Sequence, residues 1–243
     1  SDRKTVLSRL LSDFSIEHIK DTAGQKGTGK WTGISALQFG VPVSLIVEAV
    51  FARCLSSYKD ERVRASDTLS GPQGALQGSA DALLAALPKA LYAAKIASYA
   101  QGFMLLKEAS RANGWQLDMA AIAKLWRGGC IIRSRFLNDI SAALEDPNLD
   151  NLFMAPFFVT ALADCQDAWR QVVAAAALAG IPTPALSAGL AFYDGYRTAR
   201  LPANMIQAQR DYFGAHTYER VDQARGQFYH IDWPKSDRPQ LEV

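Results

Sequence analysis

The sequence is poor in the residues that build disulfide frameworks and metal sites. Its 243 residues include only three cysteines and three histidines. The cysteine count is odd and no pair forms a C-x-x-C motif, so neither a disulfide framework nor a zinc site is expected. The histidines lack metal-ligand spacing, and we expect no bound metal. This pattern favours a reduced compartment, and we expect a cytoplasmic location.

Long apolar runs and a strong excess of one charge are also missing. The longest apolar stretch, VVAAAALAGIPTPAL, is broken by Gly180, Pro182 and Pro184 and is too short to span a membrane. Charged residues interrupt the apolar residues of SDRKTVLSRLLSDF, which therefore does not resemble a signal peptide. The net charge of +2 is too small to indicate a nucleic-acid partner. We therefore expect neither a membrane nor a nucleic acid as partner.

The sequence instead contains abundant apolar residues at helical spacing. Hydrophobic residues make up 49% of the chain, enough for a sizeable core. Their period predicts an all-α fold, a large domain of about nine or ten helices followed by an extended C-terminal tail. The predicted helices are 3–14, 32–39, 43–57, 79–113, 119–129, 130–145, 156–179, 184–198 and 202–216.

Several predicted elements have features that the structure can check. The helix 43–57 is apolar around most of its circumference, which indicates burial. A polar connection is predicted over 61–79, and Pro88 predicts a kink or a restart in the helix that follows. That helix also has small residues at spacings that favour close packing with a neighbour: Ala90, Ala93, Ala94, Ala97 and Ala100.

Helical periodicity fades from Tyr218 onward. We therefore divide the chain into an N-terminal helical segment (1–20), a helical domain (21–217) and a tail (218–243). Composition alone would permit a frayed terminus. However, the tail contains apolar side chains that are costly to leave in water, which favours a groove on this chain or on a partner: Phe228, Tyr229, Ile231 and Trp233.

The stretch GQKGTGKW (24–31) matches the start of a nucleotide-binding P-loop and then departs from it. Trp31 stands where a P-loop has Ser or Thr, and no strand precedes Gly24. The loop can still bind an anion. Gly27 and Gly29 permit positive φ, so successive N–H groups can converge, and nearby lysines add positive charge. The alternative is an ordinary solvated turn rich in lysine.

Longer motifs place this loop in a recognisable context. The segment IKDTAGQKGTGKW resembles the signature of the decarboxylating 6-phosphogluconate dehydrogenases. Further stretches agree in the same order, over about residues 19–220: GVPVSLIVEAVFARCLSSYKDERVRAS, SYAQGFMLL, LWRGGCIIRS, CQDAWR, FYDGYR and LPANMIQAQRDYFGAHTYER.

The resemblance implies a function and a domain plan. Enzymes of that family oxidise 6-phosphogluconate with NADP and release carbon dioxide, which gives ribulose 5-phosphate. They have a Rossmann domain, a large helical domain and a C-terminal tail, and they form homodimers in which the tail enters the other subunit. The Rossmann fingerprint, the lysine base and the glutamate acid of the family have no counterpart here, so no catalytic residue is assigned.

The resemblance also implies five substrate-binding residues. Lys26, Thr28 and Arg53 would contact the substrate phosphate, and Arg210 and His216 would reach the site of the other subunit. Arg53 taken alone could instead be a buried charge paired with Glu48 or Glu61, since an unpaired buried charge is costly. Taken alone, Arg210 fits a solvated helix face and His216 a structural histidine. We expect Trp31 to anchor the loop in the core.

Two interpretations of function follow. The first is the substrate-binding and dimerisation domain of an NADP-dependent 6-phosphogluconate dehydrogenase of the pentose phosphate pathway, inactive on its own. The second is a non-catalytic helical module that uses this fold for assembly or phosphate binding.

Overall fold

The computed structural model describes residues 18–72, 74, 76, 78–130, 132 and 134–243. The predicted helix 3–14, and with it most of the segment 1–20, lies outside these ranges. The described residues form nine α-helices, one short 3₁₀ helix and three short strands. The predicted all-α class is therefore confirmed.

The chain divides into two compact units, Ser1–Tyr193 and Asp194–Val243. The boundary falls within α8. The α-helices are α1 (Thr28–Phe39), α2 (Ser44–Ser56), α3 (Lys59–Ser66), α4 (Ala80–Ala112), α5 (Met119–Gly129), α6 (Phe136–Ala143), α7 (Pro156–Leu178), α8 (Pro184–Tyr196) and α9 (Ala203–Gly214). A 3₁₀ turn covers Leu152–Met154, and the strands are β1 (Tyr218–Glu219), β2 (Phe228–Ile231) and β3 (Gln240–Glu242).

The core of the first unit lies where α4 packs along α7. The small residues predicted to allow this approach are buried on α4, as expected, and aromatic side chains such as Trp169 and Phe158 fill the space around them. The helix does not restart at Pro88 but continues unbroken from Ala80 to Ala112. Ser79 caps its start, because the Ser79 hydroxyl accepts a hydrogen bond from Ala82 N at 3.3 Å.

Helices α1 and α2 pack closely because α1 contains glycines at the contact. A Cβ on Gly29 would lie 2.6 Å from Val50 Cγ2, and one on Gly33 would lie 3.1 Å from Val47 Cγ2. Gly29 has no positive φ, so its role is close packing rather than the loop conformation predicted for it.

The prediction that the helix 43–57 is buried is wrong for most of its length. Only Leu45 of α2 is buried, and Phe51 and Leu55 are exposed. Within the described part of the first unit, α1 and α4 pack against α2. Helices α1 and α2 together line most of an open apolar groove of about 480 Å³, which leaves part of α2 uncovered.

Two boundaries also differ from the predictions. Helix α3 occupies the start of the predicted connection 61–79, where its charges suit helix ends: Asp60 and Glu61 lie in the first turn and Arg64 in the last. A short charged helix of this kind has little apolar periodicity to reveal it. Helix α6 is shorter than the predicted 130–145.

The second unit contains α9 and a small antiparallel sheet in the order β1-β2-β3. Tyr218 pairs with Tyr229 across β1 and β2, and His230 pairs with Leu241 across β2 and β3. The predicted tail is therefore partly sheet, and α9 contacts both β1 and β2. The strands are two to four residues long, too short for alternation to reveal them in the sequence.

Candidate functional site

The glycine-rich loop ends in the N-terminus of α1. Gly27 has φ 110°, a left-handed conformation that favours glycine, and Thr28 is already the first helical residue. The helix thus starts four residues before the predicted start at Thr32, whose hydroxyl donates to Thr28 O at 2.9 Å. Lysine and glycine at the helix start hid this boundary from sequence analysis.

This helix start has the properties of an anion site. No side chain caps it, and its first turn contains no acidic residue. Lys26 and Lys30 are exposed on either side of Gly27 and Thr28. The first N–H groups of a helix carry partial positive charge and bind phosphate readily. Thr28 adds a hydroxyl at the same place.

Arg53 lies beside this loop, near the end of α2. Its guanidinium Nη2 donates a hydrogen bond to the carbonyl oxygen of Gly24. Gln25 Nε2 contacts the sulfur of the next residue, Cys54, at 3.7 Å. Arg53 is exposed, so the alternative of a buried ion pair with Glu48 or Glu61 is wrong. Among the described residues, no carboxylate forms an ion pair with Arg53, so its charge is available to a ligand.

The position of the loop is fixed from its N-terminal side by Asp21. Its carboxylate binds Lys59 Nζ at 2.7 Å and Arg62 Nη2 at 3.0 Å. Hydrogen bonds from Lys59 and then Arg62 lower the pKa of Asp21 from 3.8 to about 2. Arg62 also donates to the carbonyl oxygens of Asp21 and Ser56. Asp21 thus ties the loop to α3, and Arg62 in turn connects α3 to the end of α2.

Ser56 adds a second attachment on the same side. Its hydroxyl accepts a hydrogen bond from Ala23 N at 2.8 Å and donates to Arg53 O at 2.7 Å. Sequence reasoning missed Asp21, Ser56, Lys59 and Arg62 as supports of the loop. Asp21 lies in the segment IKDTAGQKGTGKW and the other three in the run RCLSSYKDER, but no spacing rule pairs residues so far apart along the chain.

The expectation that Trp31 anchors the loop in the core is wrong. The side chain is 63% exposed. Its ring instead lies beside Gly27, where a Cβ would be 3.8 Å from Trp31 Cε2. Trp31 therefore covers the turn from outside.

Arg210 and His216 belong to the second unit. Arg210 lies near the end of α9, is exposed and donates from Nη1 to Gln207 Oε1 at 3.0 Å. His216 is exposed in the turn after α9. Gly214 provides space for the imidazole, since a Cβ there would lie 2.9 Å from His216 Nε2. The five predicted residues thus form two groups: Lys26, Thr28 and Arg53 in one unit, Arg210 and His216 in the other.

Asp211, between these two residues in the sequence, is fully buried. Burial raises the pKa of its carboxyl group, but hydrogen bonds from His230, Ile231 and Trp233 outweigh this and lower the pKa below its ordinary value. Sequence analysis did not single out Asp211. The sequence of α9 does not indicate that its carboxylate is buried, because most partners of Asp211 lie in the tail.

The described residues offer neither a metal site nor a membrane span. They contain no group of three or more His, Cys, Asp or Glu side chains arranged to hold a metal ion. Among the helices in the described ranges, none is both long and apolar enough to cross a membrane.

The geometry defines an all-α domain with a cationic loop suited to bind an anion such as phosphate. Residues 6–233 match the family described as 6-phosphogluconate dehydrogenase, C-terminal domain. The chain belongs to this family.

Individual relatives agree with this assignment. The chain is 60% identical over 222 residues to "6-phosphogluconate dehydrogenase, decarboxylating" of Drosophila melanogaster, which covers 90% of this chain and 46% of that protein. It is 58% identical over 220 residues to the Homo sapiens protein of the same name. That alignment covers 90% of this chain and 45% of the human protein. The chain therefore spans about half the length of these relatives.

A solved structure shares the fold. Plasmodium falciparum 6-phosphogluconate dehydrogenase, determined in its apo form and in complex with its cofactor NADP+ and its substrate 6-phosphogluconate, superposes with a TM-score of 0.87 at 36% identity. The match covers 94% of this chain and 50% of that one.

Proposed function

We propose that this chain is the substrate-binding and dimerisation domain of an NADP-dependent 6-phosphogluconate dehydrogenase acting in the cytoplasm. The full enzyme would oxidise and decarboxylate 6-phospho-D-gluconate to ribulose 5-phosphate. The observation that carries the proposal is the uncapped, cationic start of α1 beside the exposed Arg53, in a chain of this family.

The loop would bind the phosphate of the substrate. Lys26 would supply positive charge, and Thr28 would supply its hydroxyl. The first N–H groups of α1 would donate hydrogen bonds to the phosphate. Arg53 would supply a guanidinium that matches phosphate geometry. Asp21 and Ser56 would hold the loop in place, which reduces the ordering cost of binding. These roles follow from the family resemblance together with the local geometry of the first unit.

The remaining parts of the proposal concern residues of the tail and a second subunit. Residues 21–217 would form the family's helical domain, and the tail 218–243 would pack on the partner. Arg210 and His216 would complete the partner's site. Exposed apolar side chains on α1 and α2, including Ile34, Leu37 and Phe51, support burial of surface in an assembly.

NADP would be held mainly by a Rossmann domain, whose glycine fingerprint these 243 residues do not contain. No residue here is assigned to the cofactor or to proton transfer. We therefore expect the isolated 243-residue chain to bind substrate without oxidising it. NADPH formation by the purified chain would contradict this expectation.

Calorimetric titration with 6-phosphogluconate tests the binding proposal. We expect weak binding, and we expect Arg53→Ala to weaken it about tenfold or more, because a hydrogen bond to a charged group contributes roughly 1.5–3 kcal/mol. Arg111→Ala, which removes an exposed arginine paired with Glu108 on α4, is the matched control and should leave affinity unchanged. Absence of heat at millimolar ligand would reject the proposal.

Light scattering at micromolar concentration tests the assembly. A dimeric mass is expected. A clean monomer would count against the dimerisation role. It would not bear on phosphate binding, which calorimetry tests separately.

A further inference from the structure

The second unit is organised around the buried carboxylate of Asp211. Its Oδ1 accepts from Thr217 N at 3.1 Å and is 2.9 Å from His230 Nδ1. Its Oδ2 accepts from Ile231 N at 3.1 Å and from Trp233 Nε1 at 2.9 Å. Four donors from two different segments thus meet on one side chain.

These partners connect three parts of the second unit. Asp211 itself lies in the last turn of α9, next to Arg210. Thr217 directly follows His216, whereas His230, Ile231 and Trp233 belong to β2 and the residues just after it. The carboxylate therefore joins the helix end, the turn that contains His216, and the tail.

The turn that contains His216 has an unusual backbone. Ala215 has φ 49° and Thr217 has φ 55°, so both neighbours of His216 are left-handed without being glycine. Such conformations are sparsely populated and persist when surrounding contacts hold them. Ala215 N donates to Asp211 O at 2.9 Å, and Thr217 N donates to the Asp211 carboxylate. Both strained residues are therefore held by Asp211.

We propose that Asp211 is a positioning residue that holds His216 and Arg210 in their binding geometry and makes that geometry depend on the docked tail. The inference rests on the proposed function, because it assigns the geometry to 6-phosphogluconate binding. Asp211 has no access to ligand itself, because it is fully buried. It acts only through the turn and the helix end.

Asp211→Asn is the variant that tests this role. The size of the side chain is kept, but one oxygen becomes an NH₂ group. In one orientation that group faces Ile231 N–H and Trp233 Nε1–H, and in the other it faces Thr217 N–H. Either orientation opposes a donor to a donor and breaks part of the network.

Two measurements on the same 243-residue chain separate positioning from stability. The first is the NMR signals of the His216 ring, assigned with His216→Gln. The second is calorimetric affinity for 6-phosphogluconate, measured well below the melting temperature of each variant. Asp222→Asn, an exposed carboxylate of the same unit paired with Arg220, is the control.

We expect Asp211→Asn to shift the His216 ring signals and to weaken binding about tenfold, with neither change in Asp222→Asn. Unchanged ring signals and unchanged affinity in folded Asp211→Asn would overturn the proposal. Because Asp211→Asn could fail to fold, Trp233→Phe provides a milder test, since it removes one donor and keeps the carboxylate. It should shift the same signals in the same direction by less, and no shift would again overturn the proposal.

The two arms also distinguish this inference from the proposed function. If the parent chain binds no 6-phosphogluconate, the proposed function fails, and the substrate role given to Asp211 fails with it. If the parent binds and folded Asp211→Asn keeps both its His216 ring signals and its affinity, the positioning role fails while the proposed function stands.

Discussion

The side chain of Gln101 caps the start of α2: its Oε1 accepts a hydrogen bond from Leu45 N at 3.1 Å. Its Nε2 donates to Ser44 Oγ at 3.2 Å. Gln101 is fully buried on α4, and Val43 at the start of α2 offers no side-chain cap of its own. Gln101 on α4 thus replaces the missing local cap of α2, the helix that carries Arg53.

We expect Gln101→Leu to lower the free energy of unfolding by about 1–3 kcal/mol, because it leaves the buried Leu45 N–H without a partner. Chemical denaturation monitored by circular dichroism measures the change. Gln116→Leu, at an exposed position after α4, is the control and should have a much smaller effect. Equal stabilities of the two variants would show that the cap contributes nothing.

Two helical glycines should respond to alanine in opposite directions. Gly29→Ala should destabilise the protein, because overpacking against Val50 costs roughly 1–3 kcal/mol. The better helix propensity of alanine offsets ~1 kcal/mol of that cost. Gly102→Ala on α4 should stabilise it by about 0.5–1 kcal/mol, since nothing lies within 4 Å of the added Cβ. Thermal unfolding of both variants checks the pair. A stabilised Gly29→Ala would mean that α1 and α2 do not pack this closely.

The ion pairs of Asp21 predict a low titration midpoint. A lowered pKa in the folded state means that the pairs contribute stability above the ordinary value of 3.8, and that this contribution is lost as the pH falls towards about 2. Carboxyl-detected NMR should therefore give Asp21 a midpoint near 2. Lys59→Ala should raise the midpoint towards 3.8. A parent midpoint at 3.8 would show that the pairs with Lys59 and Arg62 do not form in solution.

The docking of the tail should depend on pH because the pKa of Asp211, like that of Asp21, is lowered in the folded protein. Its pKa is lowered on folding, so the carboxylate stabilises the second unit above the ordinary Asp range, and this stabilisation is lost as the pH falls through the folded-state pKa. The groups facing Asp211 are His230, the N–H groups of Thr217 and Ile231, and the Trp233 indole.

Fluorescence of Trp233, isolated by replacing the other four tryptophans with phenylalanine, should therefore report release of the indole in acid. Asp211→Asn, which breaks part of the network, should shift the signal towards that of the released indole already at neutral pH. A fluorescence that is the same for both proteins from neutral pH to acid would contradict this linkage.

Much of the helical architecture could be predicted from local sequence. The alanine positions of α4 share one helical face, and that face alone indicates where a second helix packs. Pro88 misled the prediction of a restart, because α4 continues through it as one helix. Helix α3 was missed because charged residues carry no apolar period.

The candidate site could also be predicted only in part. Motif resemblance located Lys26, Thr28, Arg53, Arg210 and His216, whose roles stay predictions. It did not reveal what supports them, because Asp21 meets Lys59 and Arg62 across about forty residues.

The sequence by itself determined the all-helical class, the family and the glycine loop, because period and motif spacing are local properties of the chain. Only the tertiary structure decided that Gly29 serves helix packing, that Trp31 lies outside the core and that Asp211 is the buried centre of the second unit. Each of these depends on contacts between segments distant in sequence, and the burial and partners of a side chain are set by those contacts rather than by its neighbours along the chain.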